Sequence, residues 1–204
     1  MSTKRLALAG IIAAALTLTA CTGTGTPNPS GNASETPTPT PSATSITGEA
    51  PADEDEAISQ AEATIDLLLD TWAQVDANGG HTPELFEAVA TGRALAEAQA
   101  DAARTANGPI LNENGESIEG QATVEGRLLF EPSTAYGQEY EGIANGLVIV
   151  PGCFDASERI TTTADGTPAM TNPNPRNEVE FHVIYDADSK TWLVNDRINL
   201  GTTC

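Results

Sequence analysis

Positive charge is what this sequence most lacks. Lys and Arg number 9 against 29 Asp and Glu, a formal net charge of −20. Two of the nine, Lys4 and Arg5, stand at the extreme N-terminus, so the rest of the chain is more acidic still. A surface of that sign repels phosphate backbones, and no nucleic-acid partner is expected. It also repels anionic lipid headgroups, so any attachment to a membrane has to be covalent or apolar. The acidity itself reads as solubility outside the cell. Histidine is nearly missing: only His81 and His182 occur, far apart. There is no His-Glu-x-x-His, Cys-x-x-Cys, Gly-x-Ser-x-Gly or phosphate-cradling glycine loop. Zinc, a nucleophilic serine and a nucleotide are therefore not indicated, and no cofactor or metal is expected.

Long apolar runs are confined to one place, "LALAGIIAAALTL" at residues 6–18. Lys4-Arg5 precede it and the small Thr19 and Ala20 follow. Charged, apolar and small segments in that order mark residues 1–20 as a secretory signal peptide. The run is shorter than the roughly 18 residues of a membrane-spanning helix. It ends in Leu18-Thr19-Ala20-Cys21, which resembles the bacterial lipobox. That resemblance implies a diacylglycerol on the Cys21 thiol and cleavage before it. It also implies a protein anchored to the extracytoplasmic face of the cell membrane. One acyl chain holds only marginally; two or more, at about 0.8 kcal/mol per buried methylene, hold stably.

Aromatic residues are absent from 22–48, where Thr, Pro, Ser and Gly dominate and "TPTPTP" repeats at residues 36–41. Such a stretch buries too little to offset its ordering entropy, so residues 21–56 are expected to form a lipidated, disordered tether. At about 3.1 Å per residue for polyproline II, it would span on the order of 90 Å when stretched. Thr and Ser beside Pro are candidate O-glycosylation sites. The acids at 53–56 close the tether and suit the start of a helix.

Residues 57–204 have globular composition and suffice for one core. Ile58, Ala61, Ile65, Leu68, Leu69, Trp72 and Val75 recur at helical spacing until Asn78-Gly79-Gly80. Thr82-Pro83-Glu84 predicts a second, short helix with Thr82 as its cap. "RALAEAQADAARTANG" predicts a third, ended by Asn107-Gly108-Pro109. Strand patterns follow: "QATVEGRLLF", then a polar stretch "EPSTAYGQEYEG", then "IANGLVIVPGCFDAS" with a kink expected at Pro151-Gly152. In "EVEFHVIY", Val179, Phe181, Val183 and Tyr185 share one face. "DADSK" is a turn, and "TWLVNDRI" returns as a hairpin with Trp192 and Val194 on one face. Helices followed by antiparallel strands predict an α+β domain.

In order, these segments resemble the nuclear-transport-factor-like, or SnoaL-like, cone fold: a long first helix with Trp72, a broken second helix, a long middle strand and the "YDADSKTWLVND" hairpin. The resemblance implies helices packed on a strongly twisted, cone-like sheet. The chain also resembles a group of actinobacterial secreted lipoproteins of unknown function. There Gly92, Arg93, Ala94 and Leu95, a cysteine on the middle strand (Cys153) and a terminal cysteine (Cys204) recur.

If Cys21 carries lipid, Cys153 and Cys204 remain, an even number in an oxidising compartment, and a disulfide between them is expected. A reactive thiol or a metal ligand is the alternative. His182 lies on a predicted strand opposite Phe181 and Val183. It is either a surface or satisfied sheet histidine or, facing a cone-shaped cup, a general base or ligand donor. His81 reads as a solvated loop residue, and "DADSK" lacks the glycine and further oxygens of a calcium loop.

Two functions compete. One is a membrane-anchored envelope lipoprotein with a small non-catalytic domain that binds another envelope protein or a small ligand. The other is a ligand-binding or isomerase-like enzyme whose cone pocket is lined by Trp72, Phe154, Tyr185 and Trp192. A transporter's solute-binding protein normally has two lobes, for which this domain is too short.

Overall fold

The computed structural model describes residues 44–204. The expected leader, Cys21 and the tether up to residue 43 lie outside the described residues. The folded unit starts earlier than residue 57. Ile46–Thr47 (β1) pairs with the last long strand, and the Tyr185 hydroxyl donates to the Gly48 carbonyl at 2.8 Å. One aliphatic residue, Ile46, in an otherwise polar stretch is enough to dock the end of the expected tether.

Asp53 caps helix α1 (Glu54–Ala77): its Oδ1 accepts from the Glu56 N–H at 2.9 Å, and Glu56 Oε2 accepts from the Ala52 N–H. The acids at 54–56 sit at the positive end of the helix dipole. Ala61, Ile65, Leu68, Leu69, Trp72 and Val75 are buried along one stripe, as their spacing predicts, while Ala57 is buried at its start and Ile58 only partly so. Residues Pro83–Ala88 form a 3₁₀ helix rather than an α-helix, and Thr82 makes no side-chain cap bond. Leu85 and Phe86 anchor it in the core. Helix α2 (Gly92–Asn107) buries Ala94, Ala98 and Ala102, one turn apart, which lets its backbone lie close to its neighbours.

The main sheet is antiparallel, in the order β1, β10 (Thr191–Asn199), β9 (Arg176–Asp186), β7 (Ile143–Asp155), β5 (Leu129–Pro132), with β6 (Tyr136–Tyr140) also on β7. Two small pairs, β2 (Ile110–Leu111) with β3 (Ser117–Ile118) and β4 (Thr123–Glu125) with β8 (Ile160–Thr162), complete the α+β domain. β6 arises inside the stretch expected to be polar loop; its residues are exposed or half-buried, so no apolar alternation marks it. β7 runs unbroken through Pro151-Gly152. The Pro151 carbonyl accepts from Ser133 N–H on the β5/β6 side, so its missing donor faces the gap between the end of β5 and the start of β6.

The core lies between α1, α2 and one face of this sheet. Val179, Phe181, Val183 and Tyr185 of β9 and Trp192 and Val194 of β10 are all buried there. Phe130 meets Phe181 edge to face at 4.9 Å, and Trp72 meets Phe86 at 5.4 Å. The Cys153 and Cys204 sulfurs lie at disulfide distance, 2.00 Å, with Cα atoms 5.9 Å apart, so the C-terminal tail is tied to β7. No helix among the described residues is long and apolar enough to cross a membrane.

Candidate functional site: an arginine-lined groove

The C-terminal ends of α1, α2, β7 and β10 converge on a groove with two adjoining lobes. One, of about 410 Å³, is lined by Trp72, Glu97, Leu128, Phe154 and Arg197. The other, of about 450 Å³, has an apolar wall of Ile110, Ile160, Met170 and Pro175. Asp101, Arg104, Ala156 and Arg159 belong to both. The chain has few cations, and three of them face this one groove.

Arg159 is held as the keystone between the two helices. After β7 the Asp155 carboxylate accepts from the Ser157 N–H, and the Arg159 N–H closes a turn onto the Ala156 carbonyl. The chain from β4 to β5 passes so close that a Cβ on Gly126, whose φ is +80°, would lie 1.8 Å from the Glu158 oxygen. Arg159 thereby enters the end of the helix pair, only 19% exposed. Its Nε and Nη2 donate to both oxygens of Asp76 on α1, at 2.8 and 3.0 Å, and Nη2 donates to Asp101 on α2 at 2.8 Å. Asp101 has both oxygens engaged: it also accepts from Trp72 Nε1 at 3.0 Å and from Arg104 Nη2 at 2.8 Å. Burial pushes the Asp101 carboxyl up, but the Arg159 charge and the bonds from Arg104 and Trp72 outweigh it and leave the group below its ordinary range. For Arg159, burial disfavours the cation, and its two carboxylates more than restore it.

Arg197 is buried differently. Its guanidinium lies 4.9 Å from the Phe154 ring centre and 5.7 Å from that of Trp72. Its nearest carboxylate oxygen, Glu97 Oε2, stands 3.6 Å from Nη2, beyond hydrogen-bond reach. Burial therefore dominates, and its pKa is lowered, though a guanidinium so far above neutrality stays charged.

Its inward direction depends on a β-bulge. Strict alternation from Trp192 and Val194 would put Asp196, not Arg197, on the helix-facing side. The pairing slips between Val194 and Asp196, opposite Val183 and His182, leaving Asn195 extra and turning Arg197 toward Phe181. Gly92 makes room for the bulge: a Cβ there would lie 2.3 Å from Asn195 Oδ1. Arg93 clamps it, donating to the Asp196 carboxylate and to the Arg197 carbonyl. Two residues of the Gly-Arg-Ala-Leu stretch thus aim a groove residue.

Of the four aromatics named from the sequence for a pocket, Trp72 and Phe154 line the groove, while Tyr185 and Trp192 are buried in the core. His182 lies on the sheet face away from the helices, opposite Phe181 and Val183 as its alternation predicts. Its Nε2 is buried without a hydrogen bond among the described residues and stands 3.8 Å from Glu180. His81 Nε2 reaches Gln121 at 3.3 Å on the surface. Cys153 and Cys204 come together; Cys21 is outside the described residues. Asp76, Asp101, Arg104, Arg159 and Arg197 were not anticipated. The one sequence signal pointing to them is the rarity of arginine, which makes each one in the domain worth placing. No protein-family model, no curated protein and no solved structure matches the chain.

Proposed function

We propose that the protein is a lipid-anchored lipoprotein of the cell envelope whose α+β domain is a non-catalytic binding module, and that the arginine-lined groove is its binding site. The observation that carries the binding reading is the open groove, with an arginine that has no hydrogen-bonded acceptor among the described residues. Two neighbouring carboxylates, Asp76 and Asp101, are by contrast engaged as structural partners of Arg159, which suits holding a ligand better than moving protons. The cone-like form belongs to the same proposal; in its favour, α1 touches strands across the sheet, from β1 and β10 through β9 and β7 to β5 and β6. The anchor rests on the sequence at Cys21 and would hold the domain at the extracytoplasmic face of the cell membrane, within reach of a small ligand or another envelope protein.

The test is the state of the mature chain in a bacterial host. Intact mass is expected to show a chain starting at Cys21 with acyl groups, in the membrane fraction, and Cys21→Ala is expected to remove the acyl mass. A mature chain beginning at another residue, or acylation that survives Cys21→Ala, overturns the anchor.

A further inference from the structure

We infer that the groove takes an apolar monocarboxylate, its head on Arg197 and Arg104 and its tail against Ile110, Ile160, Met170 and Pro175; this deepens the binding reading above and rests on it. The head position follows from open donors. The Arg197 side chain, 29% exposed, packs its guanidinium against two rings with no hydrogen-bonded acceptor among the described residues, and Arg104, 61% exposed, uses one N–H on Asp101. A planar carboxylate matches these forks. The acceptor side of the groove is largely engaged, since both oxygens of Asp101 already accept and Asp76 is held two-pronged by Arg159. A cationic ligand would therefore find Glu97 as its main opening and meet three arginines.

A single negative charge is favoured over two. Asp101 and Glu97 border the head position, and the chain carries a net charge of −20, so a dianion meets more repulsion than a monoanion. The tail position follows from the other lobe. Ile160 is 61% and Met170 53% exposed, large apolar side chains left open beside the cationic end. Glu97, 40% exposed and within 4.0 Å of Arg93 as well, acts as a placeholder that the ligand carboxylate displaces from Arg197.

Calorimetric titration of the full chain with decanoate at pH 7.5 and low salt tests this. Saturable binding is expected, with decanol and decyl phosphate each at least about tenfold weaker. Arg197→Met keeps an apolar stem on the rings and should weaken decanoate about tenfold or more. Glu97→Gln should strengthen it severalfold. Ile160→Asp, on the exposed wall, should weaken it about tenfold while far-ultraviolet circular dichroism stays unchanged. No saturable heat from a folded chain, equal binding of decanol, tighter binding of decyl phosphate, or unchanged affinity in Arg197→Met overturns the assignment. None of these results bears on acylation at Cys21, so this inference can fail while the anchor stands, and the reverse.

Discussion

The middle of the helix–sheet interface and its far end are packed from opposite materials. In the middle, Phe86, Phe181, Val183 and Trp192 are buried to 2% exposure or less and meet only through apolar contact and ring edges. At the far end the same two helices are joined through Arg159, Asp76 and Asp101, and Arg197 lies against the last aromatic rings. Apolar contact is non-directional and tolerates exchange of similar shapes. A buried ion cluster tolerates the loss of no single partner, because the remaining charge is stranded away from water. The middle therefore supplies stability, and the end supplies a fixed geometry with open donors.

The sharpest way to break this contrast is to empty one position of each kind. Phe181→Ala is expected to cost about 3–5 kcal/mol from lost transfer energy and a cavity, measured by the urea midpoint. Asp76→Ala should cost about 3 kcal/mol, because Arg159 loses its two-pronged partner. The two differ in how they are rescued. Arg159→Met in the Asp76→Ala background should recover more than half of the loss, since the stranded guanidinium is removed while Asp101 keeps its bonds from Arg104 and Trp72. A double variant no more stable than Asp76→Ala would mean that the ion cluster is not what joins the helix ends.

These two regions also differ in how far the sequence betrayed them. The stripe from Ala61 to Val75 and the alternation of Val179, Phe181, Val183 and Tyr185 announce the core, because burial imposes a period on residue type. The α+β class follows from the order of those patterns. The groove has no period. Asp76 lies at the end of an otherwise apolar stripe, Asp101 belongs to a helix face that reads as polar, and Arg159 follows a turn of Asp, Ala and Ser. Each becomes meaningful only when the end of α1 meets the end of α2. Arg197 is hidden more deeply, because a one-residue bulge reverses the face that alternation assigns to it. β6 escaped for a simpler reason: Tyr136 and Glu139 are exposed, so nothing forces an apolar pattern on it.

The bulge can be tested directly. Gly92 has φ +55° and a would-be Cβ against Asn195, so Gly92→Ala combines a left-handed backbone penalty of about 1–2 kcal/mol with a contact that pushes on the bulge. The expected result is a stability loss near 2 kcal/mol or somewhat more, together with a changed near-ultraviolet signal from Trp72 as Arg197 shifts. Loss of stability with an unaltered tryptophan environment would separate the glycine from the aim of Arg197.

The smallest effect concerns one hydrogen bond shared by the two regions. Trp72 packs on Phe86 with its ring, and its Nε1–H donates to Asp101. Trp72→Phe keeps most of the apolar body and should cost about 1–2 kcal/mol at neutral pH. The same bond helps hold the Asp101 carboxyl below its ordinary value of 3.8. A carboxyl depressed in the folded state contributes stability that is complete above its unfolded pKa and is lost as pH falls through the lower, folded one. Removing the bond raises the folded value back toward the unfolded one. Less of the stability of Trp72→Phe is then tied to the Asp101 anion, so its penalty against the parent shrinks as both are acidified below about pH 4. Melting temperatures at pH 7 and in the acid limb measure this. A gap between parent and variant that stays constant across that range would show that Trp72 acts on the core alone and that the two regions meet there without being coupled.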